Sequence, residues 1–181
     1  DLARRVADSQ PLLQEMTLAQ ETAVVADRKL LLMALCALSQ WTLEQITTTY
    51  RLSETDVIRY LAQLDRIGII ELRAGNRYRL RLAKTFRWRT SGPVMEYFRE
   101  NAVLDYFGGS FDQPGETMLM VHGHISRALA PSFVDRIQRI AQDFSQQHLL
   151  DQRLLPEQRE GHTLVLGLRS WEFSAFSALR R

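Results

Sequence analysis

Three histidines have a spacing that could bind a metal ion. His122 and His124 are two residues apart, which places them on one face of a strand, and His162 opens a later stretch with strand character. Neutral imidazole is a common ligand of zinc and copper, so three converging rings could bind such an ion. No acid or cysteine stands at ligand spacing beside them. We therefore predict no metal and no other cofactor, and retain the three histidines only as candidate ligands.

The other reactive side chains do not form a catalytic pattern. Ser126 and Asp135 accompany the histidines, but the sequence has no G-x-S-x-G stretch, the nucleophile turn of many hydrolases. It also has no glycine-rich phosphate loop and no paired-carboxylate motif. Cys36 lies in the apolar run LLLMALCAL and is expected to be a small buried hydrophobe. The sequence therefore predicts that the protein is not an enzyme.

The stretch from residue 73 to residue 89 is a basic strip, with seven arginines or lysines and no acid. Because the whole chain has a formal net charge of +2, the residues outside the strip together carry −5. Arg77, Arg79 and Arg81 alternate with apolar neighbours, so a strand would present all three guanidinium groups on one face. That face could contact about three phosphates of a nucleic acid.

Two interpretations of the basic strip stay open. The arginines could contact DNA phosphates, or they could pair with Glu71 across a hairpin and with acids elsewhere in the chain. The helix before the strip begins with Glu54 and Asp56, whose carboxylates would repel a phosphate backbone. We therefore expect an accessory DNA contact or an interface rather than a sequence reader. The candidate DNA-binding residues are Arg59, Gln63, Arg66, Arg77, Arg79, Arg81, Lys84, Arg87 and Arg89.

Capping patterns predict the helices that position these residues. Each predicted helix begins after a serine, threonine or aspartate that can cap its N-terminus. In most of them a Gln or Asp follows the cap three residues later, as in a capping box. The predicted N-caps are Thr17, Asp27, Thr42 and Ser53. Gly68 ends the fourth helix, and two β-rich stretches around Ala74-Gly75-Asn76 then predict a β-hairpin. Three helices followed by a hairpin is typical of a winged helix-turn-helix domain, here residues 27–90.

The second half of the chain predicts a different architecture. ETMLMVHG and HTLVLGLRSWEF have strand character and flank a long helix capped by Ser132, a β-α-β order preceded by a helix that starts near Pro93. The predicted fold class is thus α+β, with a helical lead-in at 1–26, the winged helix-turn-helix domain and an α+β regulatory or association module at 91–181. Trp171, Phe173 and Phe176 either close the core of that module or form an interface with a second subunit.

Composition limits the class of protein. The chain has 181 residues, 45% of them hydrophobic and 24% charged, which is ordinary for a soluble globular protein. Its single cysteine excludes an internal disulfide, and the longest apolar run is about half of the roughly 20 residues that span a membrane. No signal peptide is recognisable. We predict a cytoplasmic protein with no membrane partner. Because the chain opens on Asp1 rather than Met, we also expect it to continue upstream.

Four stretches resemble the C-terminal region of bacterial transcriptional regulators that carry an N-terminal helix-turn-helix of the phage repressor and Cro (XRE) type. They are DRKLLLMALCALSQWTLEQI, LDRIGIIEL, GNRYRLRLAKTFRWRTSGPV and GHTLVLGLRSWEF, and they span from about Asp27 to near the C-terminus. The resemblance implies a regulatory and dimerisation region of a homodimeric DNA-binding regulator, with its operator-reading domain upstream. One alternative is a winged helix that itself binds DNA through its wing and third helix. Another is a domain that senses a small-molecule effector.

Overall fold

The computed structural model describes residues 11–83 and 86–181. Lys84, one of the candidate DNA contacts, lies outside these residues. The chain divides into two compact units, the first ending at Leu119 and the second running from Met120 to Arg181. The sequence had placed domain boundaries after residues 26 and 90. We describe the two units separately.

The first unit is mainly helical. Its helices are α1 (Leu18–Val25), α2 (Arg28–Leu38), α3 (Leu43–Thr49), α4 (Glu54–Ile67), α5 (Pro93–Asn101) and α6 (Val103–Phe107). The four predicted starts are confirmed: Thr17, Thr42 and Ser53 each form a reciprocal capping box, and the Asp27 side chain accepts a hydrogen bond from the Lys29 N–H. Each cap satisfies amide groups that have no partner inside the helix. The sequence pattern therefore located these helix starts correctly.

The predicted β-hairpin is also confirmed. Strands β1 (Ile70–Arg73) and β2 (Arg77–Leu80) pair antiparallel across a short 3-10 turn, Ala74–Asn76. Gly68 ends α4 with φ +92°, a conformation that glycine adopts without steric cost. Gly75 has φ +71° in the turn. Arg81 follows β2, and its carbonyl accepts a hydrogen bond from the N–H of Leu13 at 2.8 Å. The chain before α1 therefore lies beside the end of the hairpin.

The core of the first unit lies between its first four helices and the hairpin. Met33, Ile46, Leu61, Leu64 and Ile70 are among the side chains that water scarcely reaches. These side chains come from α2, α3, α4 and β1, and their burial joins the four elements into one cluster. The described chain combines helices with one two-stranded antiparallel sheet, which places it broadly in the α+β class, as predicted.

The second unit contains one long helix, α7 (Ala130–Leu150). Short 3-10 turns follow it at Asp151–Arg153, Pro156–Gln158 and Ser174–Leu179. The two strands predicted on either side of α7 do not form within the described chain, and the β-α-β prediction is therefore wrong there. Both segments are rich in apolar residues, but a strand also needs a neighbouring strand to receive its backbone hydrogen bonds, and the described chain provides none.

The start of α7 also differs from the prediction. Ser132 is not its N-cap; it lies inside the first turn, and its hydroxyl donates to the carbonyl of Leu129 at 2.7 Å. The helix instead begins after Leu129 and has no side-chain cap. In the part of the chain that the structure describes, neither α7 nor any other helix is long and apolar enough to cross a lipid bilayer.

Candidate interaction surfaces

Two arginines face each other at the tip of the hairpin. The strand register places Arg73 directly opposite Arg77, and both side chains are exposed. Arg77 Nε donates to the carbonyl of Ala74 at 3.3 Å, which holds its side chain near the turn. Like charges opposite each other destabilise a strand pair. The tip is therefore a concentrated positive charge that would gain from an anionic partner.

Arg79 has a different environment. It lies opposite Glu71 on the neighbouring strand, and its guanidinium is 2.9 Å from the Glu71 carboxylate. The same carboxylate is 3.7 Å from Arg73. Pairing across the hairpin, the second interpretation of the strip, is therefore confirmed for Arg79. The alternating pattern treated Arg77, Arg79 and Arg81 as equivalent, whereas the register gives Arg79 an acidic neighbour, and Arg81 lies just beyond the end of β2.

The last arginines of the strip also divide. Arg87 is exposed, with its N–H donating to the carbonyl of Gln14 at 3.1 Å. Arg89 contacts the segment before α1, because its guanidinium pairs with the Glu15 carboxylate and donates to the carbonyl of Met16 at 3.2 Å. Between them, Trp88 contacts Phe86 edge to face and packs on the core. Arg89 thus anchors the chain rather than extending a continuous cationic surface.

Helix α4 presents few groups suited to reading DNA bases. Arg59 pairs with Asp56 at 3.1 Å and lies over the ring of Tyr60. Gln63 is half-buried and Arg66 is exposed near the end of the helix. Asp65 accepts a hydrogen bond from the N–H of Leu72 at 2.9 Å, which ties α4 to β1. The candidate DNA contacts on α4 are therefore few and partly engaged by acids.

A buried carboxylate joins α1 to α5, and the sequence patterns did not identify it. Glu21 is completely buried, and its oxygens accept hydrogen bonds from the N–H groups of Arg89 (2.9 Å) and Val94 (3.3 Å). It therefore caps the N-terminus of α5, where negative charge is favoured. A Cβ atom at Gly92 would lie 2.4 Å from a Glu21 oxygen, so only glycine fits there. The available signal was an acid on the same helical face as Val24.

The structure does not bring all three histidines together as a metal site. The rings of His122 and His124 lie 5.9 Å apart, and His162 is near its own neighbour Glu160. Over residues 11–83 and 86–181, no group of three or more metal-ligating side chains could hold an ion. Cys36 is buried as expected, and burial raises the pKa of its thiol to about 11. That thiol is accordingly protonated and unreactive at neutral pH.

The second unit exposes its apolar side chains instead of enclosing them. Every one of its residues, all of which the structure describes, is at least partly accessible to water. The rings of Trp171 and Phe176 each contact the Phe173 ring, but all three side chains remain at least half exposed, so they do not close a core. The exposed large apolar side chains of α7 are Phe133, Val134, Ile140, Phe144 and Leu150, and Phe133, Ile140 and Phe144 among them lie along one line of the helix.

The backbone of the second unit also has open hydrogen-bonding capacity. Within the described chain, no amide or carbonyl of residues 120–125 or 164–172 has a backbone hydrogen-bond partner. These residues lie in or next to the two segments that the sequence predicted to be strands. Comparison with known proteins adds no relative: no protein-family model matches the chain, and no curated protein or solved structure is significantly similar to it.

Proposed function

We propose that this chain is the regulatory and self-association region of a bacterial DNA-binding transcription regulator, and that it acts in the cytoplasm as a homodimer. The observation that carries the proposal is the open second unit, in which no residue is buried although many apolar side chains are present. Contiguous exposed apolar surface is typical of a site that another protein covers. The resemblance to phage repressor and Cro-type regulators gives the class of protein.

Energetics favour association over an isolated second unit. Burying apolar surface stabilises by roughly 25 cal/mol per Å² removed from water, and a domain of about 60 residues is marginal even when it has a core. The second unit has no such core in one chain. A second copy would cover the exposed side chains and give the unpaired backbone of residues 120–125 and 164–172 a source of partners.

We assign the first unit a scaffold role in this proposal. The order α2, α3, α4 and hairpin supports a winged helix-turn-helix at residues 27–90. Glu54 and Asp56 at the start of α4 argue against major-groove reading, because a recognition helix ordinarily contacts bases with its first turns. Sequence-specific operator binding is thus proposed for another part of the regulator.

Light scattering during size exclusion tests the proposed self-association. The full chain at micromolar concentration is expected to have twice the mass of one chain. A control chain that ends at Leu119 keeps the whole core of the first unit and is expected to elute as a folded monomer. A full chain that has the mass of one copy at every concentration would refute the homodimer.

A second candidate function is direct DNA contact by the hairpin. The observation that favours it is the Arg73–Arg77 pair, two like charges held opposite each other at an exposed tip. Their repulsion would be relieved by the phosphates of a duplex, and such contacts carry no sequence information. Arg87 could add a further phosphate contact, whereas Arg79 is already paired with Glu71 at 2.9 Å, and Arg73 is 3.7 Å from the same carboxylate.

Fluorescence anisotropy with a random duplex at low salt tests the hairpin contact. Arg73→Ala combined with Arg77→Ala is expected to weaken binding and to reduce the slope of log affinity against log salt by about 1.8, since each phosphate contact contributes about 0.9. Arg180→Ala with Arg181→Ala removes the same charge from the C-terminus and is the matched control. Unchanged affinity and slope in the hairpin variant would dismiss this candidate.

A further inference from the structure

Three of the exposed apolar side chains of α7 form one stripe along the helix. Phe133, Ile140 and Phe144 are separated by seven and four residues, so at about 100° per residue they project in nearly the same direction. Their exposed fractions are 39%, 51% and 41%. Ile137 and Ala141, which lie beside them on the helix, are half-buried within the chain. The stripe is therefore an apolar surface that remains open after the chain has folded.

Opposite charges flank this stripe on one side. Arg136 and Asp143 are seven residues apart, which separates them by about 10 Å along the same edge of the helix. The Arg136 guanidinium lies 5.2 Å from the centroid of the Phe133 ring. Both residues are exposed. The edge thus has one positive and one negative position, almost symmetric about Ile140.

This charge order distinguishes two ways of pairing α7 with a second α7. In a parallel pair, the edges that carry Arg136 and Asp143 would lie on opposite sides of the interface, so neither residue would meet a charge of this edge in the other copy. In an antiparallel pair with its two-fold axis near Ile140, Arg136 of each copy meets Asp143 of the other. The stripe then packs against itself across the axis, as a two-fold interface requires. Charged flanks commonly set orientation in paired helices.

We propose that α7 binds α7 of a second copy in antiparallel orientation, through Phe133, Ile140 and Phe144 and two reciprocal Arg136–Asp143 ion pairs. The proposal rests on the self-association proposed above and specifies its surface and geometry. A helix pair of this kind covers the stripe that each chain leaves exposed. It also brings together the second units of the two copies, which include the unpaired segments at 120–125 and 164–172.

Charge reversal in the full chain tests the ion pairs. Sedimentation equilibrium should show dimer dissociation constants at least about tenfold higher for Arg136→Glu and for Asp143→Arg, because each change turns two attractions per dimer into repulsions. The double variant, and an equimolar mixture of the two single variants, should both recover a dissociation constant close to that of the unchanged chain. Asp135→Arg makes the same charge change as Asp143→Arg on the opposite, exposed face of α7 and should dimerise normally.

A cross-linking measurement covers the case in which a charge variant folds poorly. Ile140→Cys replaces an exposed side chain at the expected two-fold axis and should form a disulfide-linked dimer under mild oxidation, whereas Arg139→Cys should not. Single charge variants that dimerise normally, or an Ile140→Cys chain that does not cross-link, would overturn the α7 pairing while leaving self-association intact. An unchanged chain that is monomeric throughout would instead overturn both proposals.

Discussion

At the scale of single residues, Glu21 determines how the helices of the first unit meet. Its carboxylate is removed from water and accepts from two backbone amides in the segment that leads into α5. A buried charged acceptor is tolerated only when donors replace its lost hydration, and here Arg89 and Val94 provide them. The guanidinium of Arg89 fastens the same segment to Glu15. One acid in α1 therefore holds the start of α5 in place.

We predict that removing this carboxylate destabilises the first unit. Glu21→Ala leaves two buried amides without acceptors and should lower the free energy of unfolding by about 3 kcal/mol, whereas Glu21→Gln retains one acceptor oxygen and should cost less. Urea unfolding followed by tryptophan fluorescence measures both. Glu100→Ala, at an exposed position in α5, is the control and should change stability by less than about 0.5 kcal/mol. Equal stability of Glu21→Ala and Glu100→Ala would contradict the capping role.

At the scale of elements, Asp27 connects two helices as well as starting one. Its carboxylate accepts from the N–H of Lys29 at 2.8 Å, which caps α2, and from the hydroxyl of Tyr60 at 3.0 Å, which lies on α4. The hydrogen bond from the Lys29 amide, together with that from Tyr60, lowers the pKa of Asp27 below its ordinary value. The cap is consequently strongest when this carboxylate is ionised.

We predict an acid-dependent contribution of Asp27 to stability. Because its folded-state pKa is depressed, the contribution is complete above the pKa of an unfolded aspartate, about 3.9, and is lost as pH falls through the lower folded value. Asp27→Asn can still cap the helix but cannot ionise, so its urea midpoint should fall less steeply than that of the unchanged chain below about pH 4. Urea midpoints at a series of pH values provide the measurement. Identical acid slopes for the two chains would show that Asp27 contributes nothing to this dependence.

At the scale of the whole molecule, the two units differ in how they satisfy their apolar side chains. The first unit encloses Met16, Met33, Leu64 and Ile69 almost completely. The second unit has an amphipathic helix and two apolar segments, yet encloses none of its residues. We interpret this contrast as the difference between a unit that folds on itself and one that requires a second copy, which is the basis of the proposed homodimer.

The candidate sites were predictable to very different extents. Sequence spacing placed Arg73, Arg77 and Arg79 on a hairpin, because turn residues and alternation are local properties. It could not separate Arg79 from the others, since its partner Glu71 is set by strand register. Nor could it find Glu21, whose donors are 68 and 73 residues away along the chain. Distances in sequence of that size are bridged only by packing.

Local sequence was sufficient to specify the starts of α1 to α4, the end of α4 and the hairpin turn. Each depends on interactions between neighbours a few residues apart, such as the capping boxes at Thr17 and Ser53 or the positive φ of Gly68. Only the tertiary structure decided that the segments beside α7 lack strand partners in this chain and that Phe133, Ile140 and Phe144 stay exposed. The physical reason is that pairing and burial require a second surface, and the sequence of one segment does not show whether that surface is present.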